Sequence, residues 1–222
     1  MGSPKKKPTR KTTKRAAERR TPAKRAVTHP ARRAEVRRTT KEVDVSVSLV
    51  LDGAGRASAD TGIPFFDHML EQLGKHAGFD LAITAKGDLA VDAHHTVEDT
   101  GLAVGEAILA SLGDKSGIAR FGNALVPLDE ALIQVALDIS ARPFLAWDAD
   151  AKAKMIGSFD TRLSEEFVRA FAQASGSTIH VRMLAGKNPH HVVEATFKAI
   201  ARALGDATRQ TGGGIPSTKG RL

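Results

Sequence analysis

HHTVE at residues 94–98 and HHVVE at residues 190–194 are two copies of one pattern, His-His-x-x-Glu, set 96 residues apart in a chain of 222. Each copy leads into apolar residues at helical spacing: Leu102, Val104, Ile108 and Leu109 after the first, and Val192, Val193, Phe197, Ile200 and Leu204 after the second. Residues three and four apart share a helix face, so Glu98 is placed to approach the same ion as His94 or His95, and Glu194 stands in the same relation to His190 and His191. Adjacent histidines at a strand-to-helix junction point in different directions, so one pair can serve two ions or two halves of a site. Imidazole and carboxylate without thiolate suit Mn, Fe or Zn alike. A lone His-His step is more often a surface coincidence; the repeat with its matching glutamate carries the dimetal reading.

Outward from these motifs the chain reads as a duplication. Before the first pair, EVDVSVSLVL (42–51) alternates as a half-buried strand, and DGAGRA supplies a turn to a second strand, so a hairpin is expected to open the domain. GIPFFDHMLEQLGKHAGF is a turn and a helix with Phe66, Met69, Leu70 and Leu73 on one side, and DLAITAKGDLAVDA is expected to form two strands around Lys86-Gly87-Asp88. Before the second pair come a turn at DKSGIARFG, the strand ALIQVALDIS, a strand or edge at RPFLAWD, the helix SEEFVRAFAQASG and the strand STIHVRMLAGKN. The expectation is an α/β (α+β) fold of two similar halves, about 34–122 and 123–222, with sheets packed together on one side and helices on the other. The two ligand clusters then need a common cleft, within one chain or across a subunit boundary.

Composition separates a tail from this body. Residues 1–33 hold thirteen Lys or Arg and one acid, Glu18, whereas residues 34–222 hold 20 basic against 24 acidic side chains, a net of −4. The tail has no leucine, isoleucine or aromatic residue, so it is expected to be a disordered basic extension; nucleic-acid contact through it is conceivable on charge but not favoured. The first leucine is Leu49, which leaves no apolar core for a secretory signal, and no stretch reaches membrane-spanning length. Without cysteine, disulfides and thiolate zinc sites are excluded, which is compatible with the cytoplasm.

TGIPFFDHMLEQL, DAHHTVEDTGLAVGEA, KSGIARFG, LDEALIQVALDISARP, LAGKNPHHVVEATFKAIARAL and IPSTKG occur in this order over nearly all of residues 34–222, and in them the chain resembles the imidazoleglycerol-phosphate dehydratase family. The resemblance implies a duplicated fold of the ribosomal protein S5 domain 2-like type, trimers assembled into a 24-subunit homo-oligomer, and two Mn(II) ions per active site at subunit contacts. The implied reaction dehydrates D-erythro-imidazole glycerol phosphate to imidazole acetol phosphate in L-histidine biosynthesis. Carried onto matching positions, the implied metal ligands are His68, His94, His95, Glu98, His190, His191 and Glu194, and the substrate contacts are Glu42, Gln72, Arg120, Arg142, Lys198, Ser217 and Lys219. One departure stands in LSEEFVRAF: Glu166 occupies a place where many relatives have histidine, and it is left out of the site.

The chemistry accounts for this residue set. No carbonyl is present to stabilise the charge left by proton removal, so the implied route holds the imidazole as imidazolate between two ions and expels hydroxide through a diazafulvene-like intermediate. A carboxylate must accept the carbon-bound proton, and Glu42, Glu98 and Glu194 are the candidates; Glu42 is preferred because the other two are committed to metal. Asp99 is expected to orient a ligand histidine, Arg120 and Arg142 offer planar forks for phosphate, and Lys198 with the Ser217 and Lys219 loop adds point contacts. His76 and His180 match no ligand position. The alternative enzyme, a dimetal hydrolase of a phosphorylated metabolite, would release phosphate where a dehydratase would not.

Overall fold

The computed structural model describes residues 1–3, 32–152 and 155–222. The chain divides into units Met1–Pro30 and Ala31–Leu222, and the basic extension expected for residues 1–33 lies outside the described residues over 4–31. Arg32 and Arg33 belong to the folded unit. Arg32 donates to Asp52 Oδ2 at 2.9 Å and to the carbonyl of Thr208 at 2.5 Å, and Arg33 opens the first strand.

The first half runs β1 (Arg33–Thr39), β2 (Val43–Val50), β3 (Ala57–Asp60), α1 (Pro64–Ala77), β4 (Asp80–Gly87) and α2 (His94–Leu112). The second runs β5 (Phe121–Leu128), β6 (Ala131–Asp138), β7 (Phe144–Asp148), a small ribbon of β8 (Met155–Ile156) and β9 (Phe159–Asp160), α3 (Leu163–Ser175), β10 (Thr178–Ala185) and α4 (Pro189–Thr208). The four-stranded sheets have the orders β1-β2-β4-β3 and β5-β6-β10-β7, so each strand of one has a counterpart in the other, and the pairs β3 with β4 and β7 with β10 run parallel. This is the duplicated α/β architecture expected from the repeat.

Two local expectations are corrected. β2 does not form a hairpin with the strand after DGAGRA; its edges are taken by β1 and β4, and β3 pairs with the far side of β4. A helix between β3 and β4 permits this parallel crossover, which a tight turn could not make. DLAITAKGDLAVDA supplies one strand, not two. After Gly87 the chain turns, Val91 N–H donating to the Asp88 carbonyl at 2.7 Å, and a Cβ on Gly87 would stand 2.0 Å from Thr96 Oγ1.

Each sheet buries one face. Val43, Val45, Val47 and Leu49 alternate inward along β2, and Ala131, Ile133, Val135 and Leu137 do so along β6. The helices cover these faces and pack on one another: α2 lies on β1, β2 and α3, while α4 lies on β5, β6 and α1. The helices therefore form the middle of the molecule, and the expectation of sheet against sheet is overturned. With one apolar face per sheet, and helices buried both against a sheet and against each other, this order leaves the outer sheet faces to solvent or to other copies.

Close approach at the seam depends on small residues. A Cβ on Gly101 would meet the Phe167 carbonyl oxygen at 2.6 Å, and one on Gly105 the Phe171 carbonyl oxygen at 2.7 Å, both on α3. Phe167 fills the centre, edge-on to Phe66 and stacked on Phe197 at 5.4 Å in each case, joining α1, α3 and α4. Among the described residues no helix is long and apolar enough to cross a membrane. Replacing Gly101 by Val is expected to lower stability by about 2–3 kcal/mol through overpacking against rigid backbone, read as an earlier midpoint in urea.

Candidate active site

Both histidine pairs open a helix. Asn188 caps α4, its Oδ1 accepting from His190 N at 3.0 Å with Pro189 in the first turn, and Asp92 Oδ1 accepts from His94 N at 2.8 Å at the start of α2. The rings of each pair stand nearly perpendicular, 88° for His94 and His95 and 85° for His190 and His191, with centroids 6.2 Å apart in both. Two adjacent residues at a helix start thus aim their imidazoles in different directions, as the motif suggests.

The fold assembles two groups. In the first, His94 Nε2 lies 3.7 Å from Glu98 one turn later, while His95 Nδ1 lies 3.1 Å from Asp88 and 3.9 Å from Glu42. In the second, α1 and α4 bring His68 within 3.8 Å of Glu194, which also meets His190 Nε2 at 3.0 Å and Lys198 Nζ at 2.7 Å. His191 turns away, its Nδ1 2.7 Å from Glu130. Among the described residues no three such donors surround one point within a single chain. What one chain presents is a set of partial coordination groups on two helix starts.

Charge is distributed to suit. The hydrogen bond to Asp88 raises the His95 pKa, and the one to Glu130 raises that of His191. Glu130 falls to about 2, chiefly because it accepts from the Asn188 N–H and then from His191. Burial pushes Glu194 upward, but the bond from Lys198 and its charge outweigh this and leave it lowered. Imidazole nitrogens with ionised carboxylates are the donor set a divalent transition ion takes, so the residues fit such an ion.

A second locus surrounds Asp138 at the end of β6. Arg120 donates to both of its oxygens, at 2.7 and 3.1 Å, and to the Pro216 carbonyl at 3.0 Å; Arg142 lies 3.7 Å away with its side chain two-thirds exposed. The fork of Arg120 is therefore engaged with protein and ties down the C-terminal loop. That loop turns on itself, Lys219 N donating to Ser217 Oγ at 3.2 Å; Ser217 is half-buried and Lys219 exposed. Gln72 is bonded to His76 on the exposed side of α1.

Asp99 does not orient a histidine. It is buried and accepts from Arg38 at 2.7 Å and Thr40 at 3.5 Å, because its place in α2 faces β1 rather than the helix start. Asp88 and Glu130 occupy the histidine-facing positions instead, and Asp138 organises the arginines. Glu130 and Asp138 lie within the matching stretch LDEALIQVALDISARP and Asp88 outside any, but all three stand at strand ends and turns whose neighbours only the fold defines. Glu166 lines a cleft of about 660 Å³ with Asp92, His94 and Arg162.

Duplicated sheets, paired histidines at equivalent helix starts and a basic locus beside an ordered loop define a class: a two-half α/β enzyme with imidazole and carboxylate groups suited to a divalent ion. Comparison with known proteins narrows this. The sequence model of imidazoleglycerol-phosphate dehydratase matches residues 61–204. The protein of that name from Acidothermus cellulolyticus is 56% identical over 192 residues, covering 86% of this chain and 93% of the relative. That from Frankia casuarinae is 55% identical over 194 residues, covering 86% and 100%. The crystal structure of the Pyrococcus furiosus protein in complex with (S)-C348 superposes with a TM-score of 0.75 at 40% identity over 84% of this chain and 100% of that one. The Staphylococcus aureus structure gives 0.72 at 37% identity over 80% and 99%. The chain belongs to the imidazoleglycerol-phosphate dehydratase family, lyases that dehydrate imidazole glycerol phosphate in histidine biosynthesis, and the dimetal hydrolase alternative gives way.

Removing the Arg120 fork by Arg120→Ala is expected to cost about 2–3 kcal/mol, since it strips hydrogen bonds from a charged pair. Amide exchange in residues 212–220 should rise well before global unfolding.

Proposed function

We propose that the dehydration runs at sites completed between copies of this chain in a homo-oligomer, 24 subunits built from trimers, each site holding two Mn(II) ions. The observation that carries this is the pair of perpendicular imidazoles at each of two equivalent helix starts, so that each pair faces two directions. His94, Glu98, His190, Glu194 and His68 would hold ions together with His95 and His191 from neighbouring groups. When bound, the ions stabilise negative charge on the substrate ring and so let its electrons expel hydroxide from the attached carbon.

The chain's own residues do the remainder. Glu42 stands 3.9 Å from His95 with its side chain about half exposed, and among the described residues its carboxylate accepts no hydrogen bond. It takes the proton from the carbon next to the one that loses hydroxide, and the resulting enol ketonises to imidazole acetol phosphate. Glu98 and Glu194 serve mainly as ligands; Lys198, held against Glu194, keeps that carboxylate ionised. Arg142, Ser217 and Lys219 grip the phosphate, while Arg120 anchors the loop that carries the last two. Gln72 adds a polar contact from α1. The enzyme works in the cytoplasm, and the basic extension is dispensable for turnover.

Chelator-treated protein should lose turnover and regain it with Mn(II), forming imidazole acetol phosphate without inorganic phosphate. Glu42→Gln is expected to lower kcat by about 10²–10⁴-fold with little change in Mn(II) content. His95→Ala and His191→Ala should each lose the metal and the activity together. Near-normal metal content and rate in both histidine variants would sink the assignment.

A further inference from the structure

The duplication relates two glutamates that play different parts. β2 and β6 have the same length and the same alternation of buried and open positions, and each is preceded by a glutamate, Glu42 before Val43 and Glu130 before Ala131. In the second half that glutamate faces the second histidine of the pair: Glu130 Oε2 lies 2.7 Å from His191 Nδ1. In the first half the counterpart, Glu42, stands back at 3.9 Å from His95 Nδ1, and Asp88 lies nearer at 3.1 Å. Asp88 comes from the turn after β4, a different strand end, so the same contact is made from a different element.

We propose that Asp88 and Glu130 are positioning residues that hold His95 and His191 with Nδ1 as the donor and Nε2 turned outward as the ligand nitrogen, and that Asp88, by taking over this contact in the first half, releases Glu42 for chemistry. The inference rests on the metal reading above. An imidazole has two nitrogens, and a carboxylate fixed on one determines which carries the hydrogen and where the other points. On the second histidine Nε2 lies 3.4 Å from Asn188 Nδ2 and 3.7 Å from Asp129 Oδ2. The two anchors differ in their own restraint. Glu130 also accepts from the N–H groups of Lys187 and Asn188, at 3.1 and 2.7 Å through Oε1, which pins it to the start of α4; Asp88 is held by His95 through both oxygens, at 3.3 and 3.1 Å. Each hairpin thus carries a glutamate before its second strand; Glu130 faces its histidine, whereas in the first half Asp88 makes that contact and Glu42 stands back.

The test titrates metal-stripped, full-length protein with Mn(II) against a chromophoric chelator, for wild type, Asp88→Asn and Glu42→Gln, with melting temperatures of the stripped proteins recorded alongside. Asp88→Asn is expected to weaken Mn(II) binding by about 10–100-fold, with the stripped protein melting as wild type does, while Glu42→Gln stays within about threefold. Asp88→Asn binding as tightly as wild type would overturn the proposal. Equal losses in the two variants would overturn it as well, because the effect would then follow negative charge and not orientation. Should Asp88→Asn misfold, Glu130→Gln carries the same test with the same limits, since its amide oxygen still accepts from Lys187 and Asn188. Wild type that binds no Mn(II) at all would sink the metal reading and this inference with it, whereas tight wild-type binding unaffected in Asp88→Asn sinks only the inference.

Discussion

Every feature of the molecule follows from the fact that neither half can close a core alone. Each four-stranded sheet has one apolar face, and the helices that cover it have apolar surface left over on their far sides. That surface is removed from water when α2 meets α3 and α4 meets α1, a contact made across the two halves. The approach is close because Gly101 and Gly105 present no side chain to the α3 backbone and Gly205 none to the Ala77 carbonyl. Phe66, Phe167 and Phe197 then interlock in the seam, each fully buried.

The seam has a functional consequence. By locking helices of both halves together it places His68 of α1 against Glu194 of α4, a contact between elements more than a hundred residues apart. It also holds the starts of α2 and α4 as rigid platforms. A histidine pair in the first turn of a helix has its backbone directions set by the helix itself, so the perpendicular rings are built in before any ligand arrives. Carboxylates from strand ends complete the arrangement; N–H groups hold Glu130 ionised, and Lys198 does the same for Glu194 on α4.

Much of this was legible in the residues. α1 follows from Pro64 at its start, the inward set Phe66, Met69, Leu70 and Leu73, and the left-handed Gly78 at its end. The strongly alternating strands β2, β6 and β10 are equally plain, and the spacing of Glu98 and Glu194 from their histidines follows from helical period alone. β1 and β5 were not legible. RAEVRRT carries three arginines in seven residues and lies at a sheet edge with no fully buried position, and FGNALVPL contains Pro127 and exposes Phe121 and Leu125. Edge strands bury too little for their pattern to stand out, and their identity depends on having a partner. Asp99 shows the converse: its position beside Glu98 suggested a histidine partner, yet helix geometry turns it toward Arg38.

Sequence by itself determined the duplication, the donor types and their spacing, because periodicity and the identity of side chains are local properties. It also carried the family, since the matching motifs extend across most of the chain. Only the tertiary structure decided that the helices lie between the sheets, that β3 sits beyond β4, and that Asp88, Glu130 and Asp138 stand beside the functional groups. Those facts depend on which surfaces meet after collapse, and contacts between residues distant in the chain leave no periodic trace in it.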